Sequence, residues 1–228
     1  LDNRRWIWRL GWLALTTIIV QGVLGGITVL YFLPAPISIS HAGLAQLFFV
    51  LVVCLAVFTS PGWHRRYDRQ ARAEHELNKD LAFRRLTLLT PLIVYGQVLL
   101  GATMRHTGNG LAIPDFPLAF GQLIPPEWDA GIAIHFSHRL GAIVVAGFIF
   151  ATIGHTLAHY RHRLELVRPS LLLAVVLLAQ LVLGAWTVWS EKQVGINTAH
   201  VATGALLLAT TVVLALRTHR SRFTDAPS

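Results

Sequence analysis

Six long apolar stretches dominate the chain, and the charged residues stand almost entirely between them. A transmembrane helix needs about 20 consecutive apolar residues to cross the hydrocarbon core of a bilayer, and each stretch is long enough. The pattern therefore predicts an all-α polytopic membrane protein with six transmembrane helices. The predicted spans are Leu10–Leu33, Ile37–Ser60, Leu86–Met104, Gly131–Ala158, Pro169–Trp189 and Val194–Leu216.

The positive charges predict how these spans are oriented. Sixteen of the nineteen Lys and Arg residues fall before the first span, between the second and third, between the fourth and fifth, or after the sixth. The opposite loops hold only Arg105 and Lys192, and Arg139 lies inside a span. Because cytoplasmic loops accumulate Lys and Arg, we expect both termini in the cytoplasm and a location in the cell (inner) membrane. The net charge of +8 then reflects contact with membrane lipid, not with nucleic acid.

One phrase of the sequence occurs twice. The segment from Gln21 reads QGVLGGITVLYFLPAPISISHAG, and the segment from Gln180 reads QLVLGAWTVWSEKQVGINTAHVA. They align without a gap at an offset of 159 residues, so that His41 falls on His200. A weaker echo, GQVLLGATMRH, begins at Gly96. Internal repeats of this kind are typical of membrane proteins built from duplicated bundles.

The repeat and its echo predict a duplicated architecture. The second half of the chain contains four spans, of which the first half holds only counterparts of the last two. We therefore expect six helices of a 4+4 duplicated eight-helix bundle, with two further spans before Leu1. The expected divisions are 1–60 for the last two helices of an incomplete N-terminal half, 61–85 for a cytoplasmic linker, 86–216 for a C-terminal four-helix bundle and 217–228 for a cytoplasmic tail.

Three of the eleven histidines lie inside spans at similar depth. At 1.5 Å per residue, His138 and His200 lie roughly 10 Å below the outer start of their spans, and His41 is somewhat shallower. Ionisable residues at such depth usually face the bundle interior and mark function. Each could alone be a packing residue, but three at similar depth, two of them in register within a repeat, favour ligands.

Haem iron is the ligand that these histidines fit best. Zinc would favour cysteine or carboxylate groups in a compact tetrahedral set, and none is adjacent. Haem needs axial imidazoles from two helices at one depth with an apolar slot between them, and His138 with His200 offers that pair. Gly25, Gly26 and Gly184 either open room for a porphyrin or allow close helix packing.

Arg139 and the long outer loop lie beside this pair in the sequence. Arg139 is an unpaired charge near the outer surface, and we predict a haem carboxylate as its partner because a guanidinium matches carboxylate geometry. The loop RHTGNGLAIPDFPLAFGQLIPPEWDAG is too long for a simple connection. We expect it to cover the haem slot, with Asp115 as a turn residue and not an acid catalyst.

The chain resembles the haem A synthase family of bacteria and mitochondria. The matching motifs are LGGITVL with ISISHAGLAQLFF, GATMRHTGNGLAIPDFPLAFGQLIP, HFSHRLGA and LGAWTVWSEKQVGINTAH. The resemblance implies eight spans in two halves and an enzyme, an oxidoreductase, that converts the methyl group of haem O to the formyl group of haem A for cytochrome oxidase. It also implies that His138 and His200 bind a haem b, and that His41 is one of two histidines at the substrate haem.

Three departures from the family limit what the resemblance implies. The family's other N-terminal histidine and a glutamate implicated in the chemistry belong to spans before Leu1, so no catalytic residue is assigned. Ile113 and Ala119 stand where many members carry a cysteine pair. His135, three residues before His138 on the same helix face, competes for the ligand role, and we choose His138 because the following Arg matches the motif.

Two other functions remain as alternatives, a non-catalytic membrane b-type cytochrome and a structural subunit of an oxidase assembly. An electron relay across a membrane tends to stack two haems at opposite depths, whereas all three candidate ligands here lie on one side. That placement favours the synthase. The resemblance also makes a haem O synthase a candidate supplier of substrate, and an oligomer stays open.

Overall fold

The six predicted spans form six long helices. The computed structural model describes residues 4–64 and 75–224, so residues 65–74 of the expected linker lie outside the described part of the chain. By length and apolar composition each of the six helices can cross a membrane, which confirms the all-α polytopic fold. The helices are α1 (Arg5–Leu30), α2 (Ala35–Thr59), α3 (Leu81–His106), α4 (Ala130–His159), α5 (Leu164–Trp189) and α6 (Val194–Thr218).

Capping residues explain why α3 and α4 begin before the apolar stretches that predicted them. The Asp80 carboxylate accepts a hydrogen bond of 2.9 Å from the Phe83 N–H in the first turn of α3. Asp129 caps α4 in the same way, through the Ile132 N–H at 2.7 Å. A side chain that satisfies an N–H group of the first turn allows a helix to start in polar sequence.

Helices α3 to α6 form a four-helix bundle. Contacts join α3 to α4, α4 to α5, α5 to α6 and α6 to α3, so that α4 and α6 are diagonally opposite. The bundle also holds hydroxyl pairs: Thr90 Oγ1 lies 3.2 Å from Thr152 Oγ1, and Ser170 donates to Thr156 Oγ1 at 3.2 Å. Such pairs join helices in membranes. Outside the bundle, α2 packs on α3 and α6, and α1 packs on α2.

The two ends of the molecule are stabilised differently. We call the end that carries residues 107–129 the loop end, and the opposite end the linker end. At the linker end, an aromatic cluster of Trp6, Phe58, Trp63 and Phe223 joins α1 and α2 to the segment after α6, with ring centroids 4.8–6.2 Å apart. Aromatic pairs at this spacing add stability beyond the apolar area that they bury.

The repeated phrase folds into the same two-helix unit twice. The bounds of α1 and α2 recur in α5 and α6, displaced by the 159 residues of the sequence repeat. We call α1–α2 the first unit and α5–α6 the second unit. Each turn places two consecutive residues at positive φ, Phe32 and Leu33 at 55° and 60°, and Glu191 and Lys192 at 51° and 65°. Backbone hydrogen bonds of 2.7 Å and 2.8 Å close the two turns at matching positions.

Candidate haem-binding site

His200 lies against a glycine of the neighbouring helix. A Cβ atom added to Gly184 of α5 would stand 3.1 Å from Cε1 of the His200 ring, so a larger residue there would press on the imidazole. Gln180, one turn before Gly184, brings its Nε2 atom to 3.4 Å from Nε2 of His200. Gly204 on α6 leaves room for the Gln180 amide. A glutamine and a glycine four residues apart therefore position this ring.

The same set of residues positions His138. A Cβ atom on Gly101 of α3 would stand 2.9 Å from Cε1 of His138, and Nε2 of Gln97 lies 3.1 Å from Nδ1 of the ring. The Gln97 amide also donates to the His138 carbonyl at 2.7 Å, and Gly141 leaves room for it. Sequence reasoning missed Gln97 and Gly101, although both belong to the weak echo from Gly96.

A third copy of this glutamine–glycine–histidine set positions His41 in the first unit. A Cβ atom on Gly25 would stand 3.2 Å from Cε1 of His41. Gln21 donates to the His41 carbonyl at 2.9 Å, and its Nε2 lies 3.5 Å from Nε2 of the ring. Gly26, by contrast, has no neighbour within 4 Å. Gly25, the glycine that recurs in the repeat, is therefore needed because it leaves room for the imidazole of His41. The sequence alone had not decided the role of these glycines.

His138 and His200 lie across the bundle from each other. They stand on α4 and α6, the diagonal helices of the bundle. His200 lies six residues inside α6 and His138 eight residues inside α4, about 9 Å and 12 Å at the rise of an α-helix. His41 lies six residues inside α2, at the depth of His200. The expectation of a shallower His41 was wrong, because α2 begins at Ala35, before its predicted start.

The ring nitrogens fit the role of axial ligands. Nδ1 of His200 and Nδ1 of His41 are buried, and neither has a hydrogen-bond partner in the structure. An unsatisfied buried polar atom costs about 1–3 kcal/mol, and imidazole nitrogen is an axial ligand of haem iron. Among the described residues, no group of three or more His, Cys, Asp or Glu could hold a metal ion. Two imidazoles on opposite helices, each backed by a glycine, fit a haem and not a compact zinc site.

His135 belongs to the outer loop and not to the glutamine–glycine–histidine sets. Its side chain is buried, and its Nδ1 accepts a hydrogen bond from the Ile113 N–H at 3.2 Å. Ile113 itself is fully buried. The structure therefore separates two histidines that share a helix face in the sequence: His135 anchors the loop, and His138 contacts the glycine of α3.

Arg139 binds the outer loop. Its guanidinium donates to the carbonyls of Leu118 at 2.8 Å, Ile113 at 3.1 Å and Asp115 at 2.7 Å. Trp189, at the end of α5, donates to another loop carbonyl, that of Phe116, at 3.3 Å. The loop is thus held over the loop ends of α4 and α5, and a haem contact of Arg139 stays a prediction.

Asp115 organises the loop from within, as expected of a turn residue. Its two carboxylate oxygens accept hydrogen bonds of 2.8 Å from the Phe120 and Gly121 N–H groups. The Gly121 N–H makes the largest contribution to lowering the pKa of Asp115 below its ordinary value. Both residues that donate have positive φ, 57° and 75°, so the ionised carboxylate stabilises a tight left-handed turn.

An ion pair at the linker end was not predicted from the sequence. Nε2 of His155 lies 2.7 Å from Oδ2 of Asp80, and the Tyr160 hydroxyl donates to the same oxygen at 2.8 Å. Burial raises the pKa of Asp80, but hydrogen bonds from the Phe83 N–H, His155 and Tyr160 outweigh it, and the pKa lies below its ordinary value. This cluster ties the start of α3 to the end of α4 and is remote from the three histidine sets.

A large cavity at the linker end is also remote from the histidines. It has a volume of about 850 Å³ and opens at the linker end between α2, α5 and α6. Apolar side chains such as Phe49, Leu172 and Leu206 line it together with Arg163, Arg168, Arg217 and Arg220.

The sequence profile of the family described as "Cytochrome oxidase assembly protein" matches residues 2–212. The chain belongs to this family. The match includes all three glutamine–glycine–histidine sets and the outer loop, and it confirms the resemblance seen in the motifs.

Curated proteins that are similar to this chain carry the name heme A synthase. The protein of Geobacillus kaustophilus (strain HTA426) is 27% identical over 95% of this chain and 70% of its own length. That of Caulobacter sp. (strain K31) is 31% identical over 95% of this chain and 64% of its own. That of Geobacillus thermodenitrificans is 32% identical over 59% and 44%. The chain spans between 44% and 70% of the length of these three relatives.

Proposed function

We propose that the chain acts in a haem A synthase, which oxidises the methyl group of haem O to the formyl group of haem A. The observation that carries the proposal is the pair of glycine-backed imidazoles, His138 and His200, on diagonal helices of a bundle in the cytochrome oxidase assembly family. In this proposal His138 and His200 hold a haem b, and His41 contacts the substrate haem. A haem O synthase in the same membrane supplies that substrate.

The reaction takes its oxygen atom from water. A methyl group and one water molecule become a formyl group, with the release of four electrons and four protons, and haem b, when bound, supplies a one-electron carrier. The residues of the chain hold and orient the haems. The amide nitrogens of Gln97 and Gln180 lie 3.1 Å and 3.4 Å from a ring nitrogen of His138 and of His200, so the two glutamines orient these imidazoles.

The proposed orientation places the loop end outside the cytoplasm and both termini inside. The charge distribution supports it, since sixteen of the nineteen Lys and Arg residues lie on the linker-end side of the spans. Reporter fusions after Pro36, Trp128 and Glu191 should all report an external location. A cytoplasmic signal from the fusion after Trp128 would contradict this orientation.

Haem titration of the purified chain tests the haem b site. We expect a low-spin b-type spectrum in the wild-type chain and its loss in His138→Ala, because one axial imidazole is then missing. His155→Ala is the matched control, since that imidazole binds Asp80 at the linker end. A wild-type spectrum in the His138→Ala variant would falsify the assignment.

An electron-relay function, the main alternative, would need a second haem site at the opposite depth. Among the described histidines at the linker end, His155 pairs with Asp80, and His219 Nδ1 lies 2.9 Å from the Ala215 carbonyl. The three glycine-backed histidines all lie toward the loop end. A spectrum of two low-spin haems bound per chain would favour the relay.

A further inference from the structure

A second, smaller cavity lies at the loop end between α3, α5 and α6. Its volume is about 280 Å³, and the first residues of the outer loop close it on one side. Its lining residues are Met104, Arg105, Gly110, Thr187, Lys192 and Asn197.

Helical spacing places this cavity one turn outward from the histidine slot. Met104 lies three residues beyond Gly101, which contacts His138, and Asn197 lies three residues before His200. Residues three apart share a helix face, and they are separated by about 4.5 Å along the axis. A flat ligand held between the two imidazoles would therefore point one edge toward this cavity.

Two of the three cationic side chains at the loop end line this cavity. Arg105, Lys192 and Arg139 are the only Lys or Arg residues on the loop-end side of the spans. The Arg139 guanidinium binds three loop carbonyls, whereas Arg105 and Lys192 both line the cavity. Since loops outside the cytoplasm are poor in positive charge, two cations meeting in one cavity indicate an anionic ligand.

We propose that this cavity binds the two carboxylates of the haem held by His138 and His200, with Arg105 and Lys192 as the cationic partners. The inference rests on the proposed haem b site. A guanidinium can bind a carboxylate through two parallel hydrogen bonds, and an ammonium group supplies a compact charge. Asn197 adds an amide at the rim of the cavity.

The same anchor is missing from the first unit. Lys192 is the second positive-φ residue of its turn, and its counterpart in the repeat is Leu33. The His41 site thus has the imidazole and the glycine of the second unit but no cation at this position. The carboxylate anchor therefore distinguishes a haem that stays bound at His138 and His200 from a substrate that must leave.

Haem and haem dimethyl ester, whose carboxylates are blocked, are the probes that test this inference. In phosphatidylcholine nanodiscs, we expect the wild-type chain to bind haem roughly tenfold more tightly than the ester, as expected for the loss of two solvent-exposed ion pairs. The double variant Arg105→Gln/Lys192→Gln should bind both compounds equally and keep the low-spin spectrum, because its imidazoles are intact. The variant Lys79→Gln/Arg85→Gln removes the same charge from exposed positions at the linker end and should still discriminate.

The outcomes separate this inference from the proposed function and from a lipid site. Absence of a low-spin spectrum in the wild-type chain would contradict the haem b site itself. A low-spin spectrum with equal affinity for haem and its ester in the wild-type chain would overturn the carboxylate anchor alone. The anchor would also be overturned if the charges mattered only in nanodiscs that contain phosphatidylglycerol, because the anion would then be a lipid headgroup.

Discussion

The first and second units have the same helices, the same turn and the same glutamine–glycine–histidine set, yet they differ in burial. In the most apolar window of each helix, 11% of residues are buried in both α1 and α2, against 28% in α5 and 44% in α6. The reason is their neighbours: α5 and α6 close a bundle with α3 and α4, whereas α1 packs on α2. The local sequence thus specifies a glutamine–glycine–histidine set, and the surrounding helices determine whether that set forms one side of an enclosed site.

The difference extends to the opposing imidazole. His200 has His138 across the bundle, positioned by its own glutamine and glycine on α3. Another histidine, His106, stands at the end of α3, which packs on α2. His106 has no glycine behind its ring among the described glycines. The second unit therefore offers a two-ligand site, and the first unit offers one ligand.

The largest expected effect comes from removing the histidine of each unit in turn. His200→Ala should abolish the low-spin spectrum of the purified chain, whereas His41→Ala should leave it unchanged, because the described bundle places His138, and not His41, opposite His200. Haem titration should accordingly give one tightly bound haem per chain. Two tightly bound haems, or a spectrum that depends on His41, would remove the distinction between the units.

Alanine at the three glycines should sharpen the comparison. Gly101→Ala and Gly184→Ala place a Cβ atom 2.9 Å and 3.1 Å from the ligand rings. Overpacking of this kind costs about 1–3 kcal/mol, or roughly five- to hundredfold in haem affinity, with Gly101→Ala the more severe. Gly25→Ala should not change that affinity. All three changes favour helix formation by roughly 1 kcal/mol, so a loss of haem with an unchanged or higher melting temperature would identify a local clash and not unfolding.

The outer loop is held by side chains of α4 and α5, and Arg139 tests how firmly it is held. Arg139→Gln removes hydrogen bonds from a charged donor to three carbonyls, each worth about 1.5–3 kcal/mol at most, so residues 107–129 should exchange amide hydrogens faster. The helices should keep their protection, since the guanidinium contacts the loop alone among the described hydrogen bonds. Unchanged exchange in the loop would show that His135 and Trp189 suffice to hold it.

The smallest effect is expected at the linker end, where Asp80 ties α3 to α4. Because the pKa of Asp80 is lowered in the folded chain, its contribution is complete above the unfolded value near 3.9 and is lost as the pH falls through the lower folded value. Asp80→Asn keeps an oxygen for the Phe83 N–H but removes the charge that faces His155 and Tyr160, so it should cost up to about 1 kcal/mol near neutral pH, the usual range for such a charge pair. Melting temperatures of wild type and variant should converge in acid. A constant difference between them down to pH 2 would mean that the carboxylate charge has no part in it.

The sequence by itself determined the six spans, the repeat and the three histidines. A segment that crosses a bilayer must be apolar and must satisfy its backbone hydrogen bonds within its own helix. Both requirements can be read from the local sequence without knowledge of the neighbouring helices. The gapless repeat likewise predicted two similar units, because residues Gln21 to His41 carry their own turn and their own glycine. The helix bounds were displaced by up to five residues, because apolar stretches do not mark helix ends and because polar caps such as Asp80 extend a helix beyond its apolar stretch.

Tertiary structure decided every choice that depends on residues distant in the chain. Gln97 and Gly101 position His138 from another helix, and this contact, not spacing along α4, separates His138 from His135. The sequence did not show that the outer loop folds back onto Arg139, whose guanidinium donates to three of its carbonyls. A pattern along one helix specifies a face and a depth, whereas the partner of a buried polar group depends on which helix packs against that face.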